Sequence, residues 1–104
     1  MPHAVDGSCR AFQSAVEVLS RPWNALILNA LQGRPLRFSE VAAMAEGVTD
    51  KVLSARLKEL ERRGLLIRTV DPGPPVRVAY ALTDAGRGFH KVARAIETWG
   101  SALR

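Results

Sequence analysis

The chain has 104 residues, and 15 Lys and Arg against 10 Asp and Glu give it a formal net charge of +5 at pH 7. This length suits a single domain with its own hydrophobic core, and the surplus of positive charge favours a polyanionic partner. A membrane span is excluded because no stretch approaches the roughly 18 uninterrupted apolar residues that one requires. The N-terminus has no basic segment followed by an apolar one, so we expect a cytoplasmic protein.

The sequence gives no support for metal or cofactor chemistry. One Cys and two His provide no set of ligands at zinc-like spacing. The run Gly86-Arg87-Gly88 lacks both the spacing and the preceding strand of a phosphate-binding loop, so we interpret these glycines as permitting close packing. We therefore predict no metal, no cofactor and no enzymatic activity.

The first two predicted helices divide between an interface and the core. Residues 1–20 predict a helix with an apolar face formed by Phe12, Ala15, Val16 and Leu19. Residues 23–31 are apolar nearly all round, as in a helix that is buried in the core. Because that second helix fills the core, we assign the N-terminal face to dimerisation.

A short helix and a tight turn come next. Ser39 predicts the N-cap of a helix whose apolar positions are Val41, Ala42, Met44 and Ala45. The link Glu46-Gly47-Val48 is so short that the helix after it must cross the first one steeply. This order predicts a helix-turn-helix.

The second helix of this pair has one core face and one free face. Leu53, Leu57 and Leu60 recur at helical spacing, between a predicted N-cap at Thr49 and a predicted C-cap at Gly64. The side of the helix opposite these leucines is called here the outer stripe, and it consists of Lys51, Ala55, Lys58 and Arg62. Ser54 lies beside this stripe and Asp50 lies at its start. Small, polar and cationic side chains on a free helix face suit the major groove of B-DNA. The alternative is an ordinary amphipathic helix that faces solvent.

Positive charge is concentrated in and after this helix. Residues 49–68 contain six cations, which are Lys51, Arg56, Lys58, Arg62, Arg63 and Arg68. They contain three anions, which are Asp50, Glu59 and Glu61. This local surplus favours a nucleic-acid partner for the helix.

A β-hairpin with a stiff tip is predicted after Gly64. Residues 65–70 are rich in branched side chains, the Asp-Pro-Gly-Pro-Pro tip at 71–75 cannot continue a helix or a central strand, and residues 76–82 alternate. One face of the last strand holds Val76, Val78, Tyr80 and Leu82. Arg77 is left on the other face, free to meet solvent or phosphates. The hairpin is interpreted as a DNA-contacting wing, or alternatively as a stabilising ribbon without a partner.

Residues 84–104 predict a terminal helix with an apolar stripe at alternating steps of three and four. The stripe is too short for an autonomous coiled coil, so we predict that it joins the N-terminal helix in a dimer interface. The alternative is that both helices only complete the core of the monomer. The predicted interface residues are Phe12, Val16, Leu19, Phe89, Val92, Ile96, Trp99 and Leu103. Twofold symmetry would place two recognition helices ~34 Å apart.

Cys9 is the only cysteine, so any disulfide must join two molecules or a small thiol. It is predicted near the start of the first helix and precedes Arg10, and helix-end amides and a neighbouring cation are features that favour a thiolate. Two interpretations stay open, a thiol that senses oxidants or electrophiles and a passive cysteine.

Three strings of the sequence resemble the HxlR-type bacterial transcriptional regulators. They are Arg37-Phe38-Ser39-Glu40, the stretch from Gly47 to Leu65, and the stretch from Val78 to Gly86. Arg21-Pro22-Trp23 and Trp99 extend the likeness over nearly the whole chain. The resemblance implies a winged-helix homodimer that binds a palindromic operator, usually as a repressor, and that in several relatives responds to redox or electrophilic stress. An N-terminal cysteine is typical of the family, although Arg10 stands where relatives commonly carry proline.

These observations predict one mainly helical α+β domain over residues 1–104. Its core at 21–83 is a winged helix-turn-helix with a two- or three-stranded wing, and the segments at 1–20 and 84–104 are dimerisation helices. The predicted partner is double-stranded DNA, bound by a homodimer at an inverted repeat. The DNA-contact set comprises Arg37, Ser39, Thr49, Asp50, Lys51, Ser54, Ala55, Lys58, Arg62 and Arg77. A small-molecule or electrophile effector is expected between the terminal helices and the core. The alternative function is a winged-helix module that docks a protein without sequence-specific DNA binding.

Overall fold

Six helices and a three-stranded antiparallel sheet make up residues 7–104, the part of the chain that the computed structural model describes. The helices are α1 (Gly7–Ser20), α2 (Asn24–Ala30), α3 (Phe38–Met44), α4 (Asp50–Arg62), α5 (Asp84–Arg87) and α6 (Phe89–Gly100). The strands are β1 (Leu36–Arg37), β2 (Leu66–Asp71) and β3 (Arg77–Leu82). The predicted mainly helical α+β fold is confirmed. None of these helices is long and apolar enough to cross a membrane.

The hydrophobic core forms where α2, α3 and α4 meet the sheet. Its most deeply buried side chains are Ile27, Leu28, Leu36, Val41, Leu53, Leu57 and Leu60. Asn24 is buried with them, and its Nδ2 donates to the carbonyl oxygen of Val18 at 2.9 Å, which ties α2 to α1. The predicted helix at 23–31 is one residue too long at each end, because Trp23 has the left-handed φ of 77° and lies before the helix.

The N-cap of α4 is as predicted, and its C-cap lies one residue before the predicted Gly64. The Thr49 hydroxyl accepts a hydrogen bond from the backbone N–H of Val52 at 3.2 Å, so the predicted N-cap is confirmed. At the other end Arg63 is the C-cap, and Gly64 follows it with a φ of 77°. The N–H of Leu65 donates to the carbonyl of Leu60 at 3.0 Å, which is the bond expected when a glycine reverses the chain after a helix.

The predicted N-cap of α3 is wrong. Ser39 is the second residue of the helix, and Arg37 occupies the N-cap position. The Arg37 backbone N–H donates to Oε1 of Glu40 at 2.9 Å. The physical reason is the strand β1, because Leu36 and Arg37 pair with β3 and the chain passes from strand to helix with no residue between.

The wing has three strands in the order β1-β3-β2. β2 and β3 pair from Leu66 opposite Leu82 to Asp71 opposite Arg77. The predicted alternating segment at 76–82 is one residue too long, because β3 begins at Arg77, and Val76 lies before the strand and is 68% exposed. Leu82, at the end of β3 away from the hairpin tip, is buried. The base of the hairpin therefore packs in the core, whereas its tip is exposed.

The C-terminal part is two helices rather than the predicted one, since α5 ends at Arg87 and α6 begins at Phe89. The Thr83 hydroxyl accepts from the N–H of Gly86 at 3.1 Å and caps α5. Gly86 is buried, and a Cβ built on it would lie 2.2 Å from the carbonyl oxygen of Leu65. The interpretation that Gly86 permits close packing is therefore confirmed.

Candidate nucleic-acid interface

The helix α4 has the two faces that its sequence predicts. Leu53, Leu57 and Leu60 are at most 1% exposed. The outer stripe of Lys51, Ala55, Lys58 and Arg62 is exposed along the whole helix, as is Ser54 beside it. A helix anchored by buried leucines on one side can present the other side to a groove without losing its packing.

The cations of α4 and of its C-cap residue fall into two groups that the sequence does not separate. Within residues 7–104, Lys51, Lys58 and Arg62 lie within 4.0 Å of no carboxylate, so their charges are available. Arg56 and Arg63, by contrast, are paired with Glu59 and Glu17 respectively, at 3.8 and 3.3 Å. The available charge of α4 therefore lies on the outer stripe.

The first turn of α4 is also exposed, at Thr49 and Asp50. The Thr49 hydroxyl is the N-cap of α4, so this residue stabilises the helix in addition to its predicted contact with DNA. Asp50 is an acidic side chain in the first turn, where the helix dipole favours it. These two residues thus fix the end of the helix that is predicted to enter the groove first.

Arg37 and Arg77 lie on the same face of the sheet. Arg37 is paired with Ala79, which is two residues from Arg77 along β3. Cross-strand partners point to one side, and so do residues two apart, so the two guanidinium groups share a face. Both are exposed. These two members of the predicted DNA-contact set therefore lie on one face of the sheet although 40 positions separate them in sequence.

Ser39 is exposed beside a carboxylate that keeps its charge. Hydrogen bonds from the backbone N–H of Arg37 and from the Arg34 side chain lower the pKa of Glu40 below its ordinary value. The Arg34 guanidinium lies 3.1 Å from Glu40 Oε2. The surface around Ser39 thus mixes cations with one anion.

The exposed apolar side chains of α1, of α6 and of the residues after α6 are the candidate dimer interface and are called here the apolar terminal surface. Its members are Phe12, Val16, Val92, Ile96, Trp99 and Leu103, which are between 41% and 71% exposed. Two predicted interface residues do not belong to it. Phe89 is only 9% exposed and is part of the core, and Leu19 is half-buried against that core. Both residues are occupied within the monomer because they face α2 and its neighbours.

The space expected for an effector is present as an apolar groove between α1 and the start of α6. It has a volume of about 340 Å³, and its lining includes Val18, Leu19, Leu28, Leu65, Phe89 and Val92. Cys9 lies in the first turn of α1 and is half-buried. The predicted position of this thiol near the start of the first helix is confirmed.

A family model described as HxlR-like helix-turn-helix matches residues 18–104. The chain belongs to the HxlR family.

Two relatives from Bacillus subtilis are named as HTH-type transcriptional regulators. YvaP is 42% identical over 93 residues, which cover 89% of this chain and 86% of YvaP. YodB is 36% identical over 91 residues, which cover 88% of this chain and 81% of YodB. The predicted family and the predicted class of DNA-binding transcriptional regulator are both confirmed.

Solved structures support the same assignment. The reduced form of YodB superposes with a TM-score of 0.83 at 32% identity. The superposition covers 96% of this chain and 95% of the YodB chain. The oxidised form of the redox regulator HypR gives a TM-score of 0.81 at 26% identity, with coverage of 90% of this chain and 97% of HypR. YodB has also been solved bound to a quinone and after treatment with diamide. The winged helix-turn-helix prediction is confirmed.

Sequence reasoning missed one polar cluster of this HxlR-family chain. Arg21 and Arg56 both approach Glu59, and Arg56 Nε donates to the carbonyl oxygen of Pro22 at 3.0 Å. The string Arg21-Pro22-Trp23 was part of the family resemblance, but no role followed from it. The sequence gives one local sign of this cluster, which is that Arg56 directly precedes the core leucine Leu57 in the helix and is half-buried in the structure.

Proposed function

We propose that the protein is a homodimeric transcriptional repressor that binds an inverted-repeat operator, with α4 in the major groove and the wing on the flanking backbone. One observation carries this proposal, the exposed and largely unpaired outer stripe of a helix whose opposite face is fully buried. Residues of that stripe are small or cationic, which suits both base edges and phosphates. Binding to chromosomal DNA would place its action in the cytoplasm.

Dimerisation is supported by the apolar terminal surface. Phe12 on α1 and Trp99 on α6 are 71% and 67% exposed, which is unusual for large aromatic side chains that have no partner. A twofold axis through this surface would bury it and present two copies of α4. The copies would match half-sites separated by about one turn of DNA, ~34 Å.

We propose further that chemical modification of Cys9 changes DNA affinity. The position of Cys9 in the first turn of α1, on the helix that carries part of the apolar terminal surface, supports this proposal. Diamide would take two electrons and two protons from two thiols, and since each chain has a single cysteine the disulfide would join two chains. A quinone would instead add the thiolate across a ring carbon–carbon double bond, which forms a carbon–sulfur bond and leaves a hydroquinone after the ring takes up one proton from solvent.

Base preference tests the placement of α4. Lys51→Ala and Ser54→Ala should change which operator bases are preferred, because both side chains lie on the free face of α4. Arg77→Ala should lower affinity for all sequences alike, because a phosphate contact carries no sequence information. Arg94→Ala on α6 is a matched loss of charge outside the DNA-contact set. If both α4 variants keep the wild-type preference, the placement of α4 is wrong.

Salt dependence separates DNA binding from protein docking. Affinity for operator DNA should fall linearly on a log-log plot against salt concentration, with a slope set by the number of phosphates neutralised. A docking module would show no preference for one DNA sequence at any salt concentration. That result would reject the proposed function.

The thiol proposal has its own test. DNA affinity of the wild type and of Cys9→Ser is measured before and after treatment with diamide or a quinone. We expect treatment to change the affinity of the wild type and to leave Cys9→Ser unaffected. A wild type whose affinity does not change on treatment would reject the switch and leave a passive cysteine.

A further inference from the structure

A cleft beside α4 combines four guanidinium groups with a single carboxylate. This arginine cleft is lined by Arg21, Ala55, Arg56, Glu59, Arg62 and Arg63 and has a volume of about 590 Å³. Two of its lining residues, Ala55 and Arg62, also belong to the outer stripe. The cleft is therefore continuous with the face of α4 that is proposed to enter the major groove.

We propose that Arg21, held against α4 by Glu59, binds a phosphate of the DNA backbone and extends the DNA interface from α4 to the linker between α1 and α2. This inference rests on the proposed DNA binding. It concerns a residue outside the predicted DNA-contact set, and it assigns a supporting role to Glu59 and Arg56 in the same cleft.

The charges of the cleft leave a surplus for an anion. Glu59 Oε1 lies 3.4 Å from Arg21 Nε and 3.8 Å from Arg56 Nη1, so one carboxylate faces two guanidinium groups. Arg63 is paired with Glu17 on α1. Arg62 lies within 4.0 Å of no carboxylate among residues 7–104. A phosphate entering beside Arg21 and Arg62 would meet uncompensated positive charge.

The three members of the ion-pair cluster differ in exposure, and this assigns their roles. The side chains of Arg56 and Glu59 are 17% and 19% exposed, whereas that of Arg21 is 56% exposed. Arg56 is further held by the bond from its Nε to the carbonyl oxygen of Pro22. Arg56 and Glu59 are positioning residues, and Arg21 is the group that a ligand can reach.

Arg21 keeps the donors that phosphate recognition uses. Its Nε donates to Glu59 at 3.4 Å, and within residues 7–104 its two terminal amino groups make no hydrogen bond. A guanidinium group presents five N–H donors in a fixed plane, so four remain. Two parallel N–H donors match two oxygens of one phosphate.

The linker that carries Arg21 is itself held in place. Trp23 has a backbone φ of 77°, which residues other than glycine rarely adopt. Such a conformation persists where the surrounding packing enforces it. The Trp23 side chain is half-buried against the core, and its Cη2 would lie 3.9 Å from a Cβ built on Gly47 in the turn of the helix-turn-helix. The linker thus contacts both the turn and α4, and Arg21 has a defined position relative to the outer stripe.

The test is the salt dependence of DNA binding for Arg21→Ala, with Arg94→Ala as the control for loss of one positive charge. Loss of one phosphate contact should reduce the log-log slope by about 0.9. If variant and wild type bind equally at about 1 M salt, this slope corresponds to roughly eightfold weaker binding at about 0.1 M salt. The factor should be the same for operator and unrelated DNA, because phosphates carry no sequence information.

A second variant separates the phosphate role from a purely structural one. Arg21→Lys keeps the charge and should keep the wild-type slope, while losing part of the affinity that a bidentate contact provides. Arg21→Ala with a wild-type slope and a lowered melting temperature would show that Arg21 only anchors α4, and would overturn the proposal. A wild type without sequence-preferring DNA binding would instead overturn the proposed function itself, so the two failures are distinguishable.

Discussion

Thr83 joins three parts of the fold through one hydroxyl group, and its removal is the sharpest test of how the wing is fixed to the C-terminal helices. Its Oγ1 donates to the carbonyl oxygen of Gly64 at 2.6 Å, just after α4. The same oxygen accepts from the N–H of Gly86 at 3.1 Å and caps α5. Thr83→Val keeps the shape of the side chain and removes both bonds.

The expected loss of stability follows from these two bonds. Loss of an N-cap costs about 0.5–2 kcal/mol, and loss of an ordinary hydrogen bond costs about 0.5–1.5 kcal/mol. Thr83 is half-buried, so water can replace part of the bond to Gly64. We expect the free energy of unfolding to fall by roughly 2 kcal/mol, which is a large part of the ~5–15 kcal/mol typical of a domain.

Urea unfolding of the wild type, Thr83→Val and Thr83→Ser at one protein concentration measures this loss. Equal concentrations matter because association stabilises the folded state. Thr83→Ser keeps the hydroxyl and should stay within about 0.5 kcal/mol of the wild type, whereas Thr83→Val should lower the midpoint without changing the slope. Equal midpoints for all three proteins would refute the assignment of both hydrogen bonds.

Two further predictions concern packing and charge. Gly86→Ala should lower the free energy of unfolding by about 1–3 kcal/mol, because its Cβ would lie 2.2 Å from the carbonyl oxygen of Leu65. The control is Gly33→Ala, whose Cβ would have no atom within 4 Å. Equal urea midpoints for the two variants would contradict the close packing at Gly86. The pKa of Glu40 is lowered chiefly by the backbone N–H of Arg37, so its contribution to stability is present above the ordinary value of 4.5 and is lost as the pH falls through the lower folded value. Melting temperatures should therefore decline less steeply below pH 4.5 in Glu40→Gln than in the wild type, and identical declines would contradict this.

The elements that sequence predicts well are those fixed by local chemistry. The helix α4 is predicted with its N-cap and with an end within one residue of the observed one, because its leucine spacing, Thr49 and Gly64 act within a few residues of one another. The N-cap of α3 was mispredicted for the opposite reason. Arg37 takes that position because Leu36 pairs with Tyr80, and this contact joins residues that are far apart in sequence.

The terminal helices show a second limit of periodicity. Phe89 and Trp99 lie on one predicted stripe, yet Phe89 is 9% exposed and Trp99 is 67% exposed. Helical spacing identifies a face but does not say whether the core or a partner covers each position. Phe89 is the first residue of α6 and packs in the core, whereas Trp99 lies one residue before the end of the same helix and is exposed.

The arginine cleft could not have been predicted from the sequence. Arg21 and Glu59 are 38 residues apart, and neither belongs to a local motif that requires the other. The cluster forms because the linker after α1 crosses α4, where Arg56 reaches the carbonyl of Pro22. Counting charges along the chain gives the correct sign for this region, but it cannot distinguish paired cations from available ones.

Selection of bound sequences from a random pool of duplex DNA tests the central claim most directly. The wild type should recover an inverted repeat with half-sites about one helical turn apart, and Ser54→Ala should recover half-sites with an altered base preference. Recovery of no enriched sequence, or of the same repeat by the wild type, Lys51→Ala and Ser54→Ala, would contradict the claim that α4 determines sequence preference.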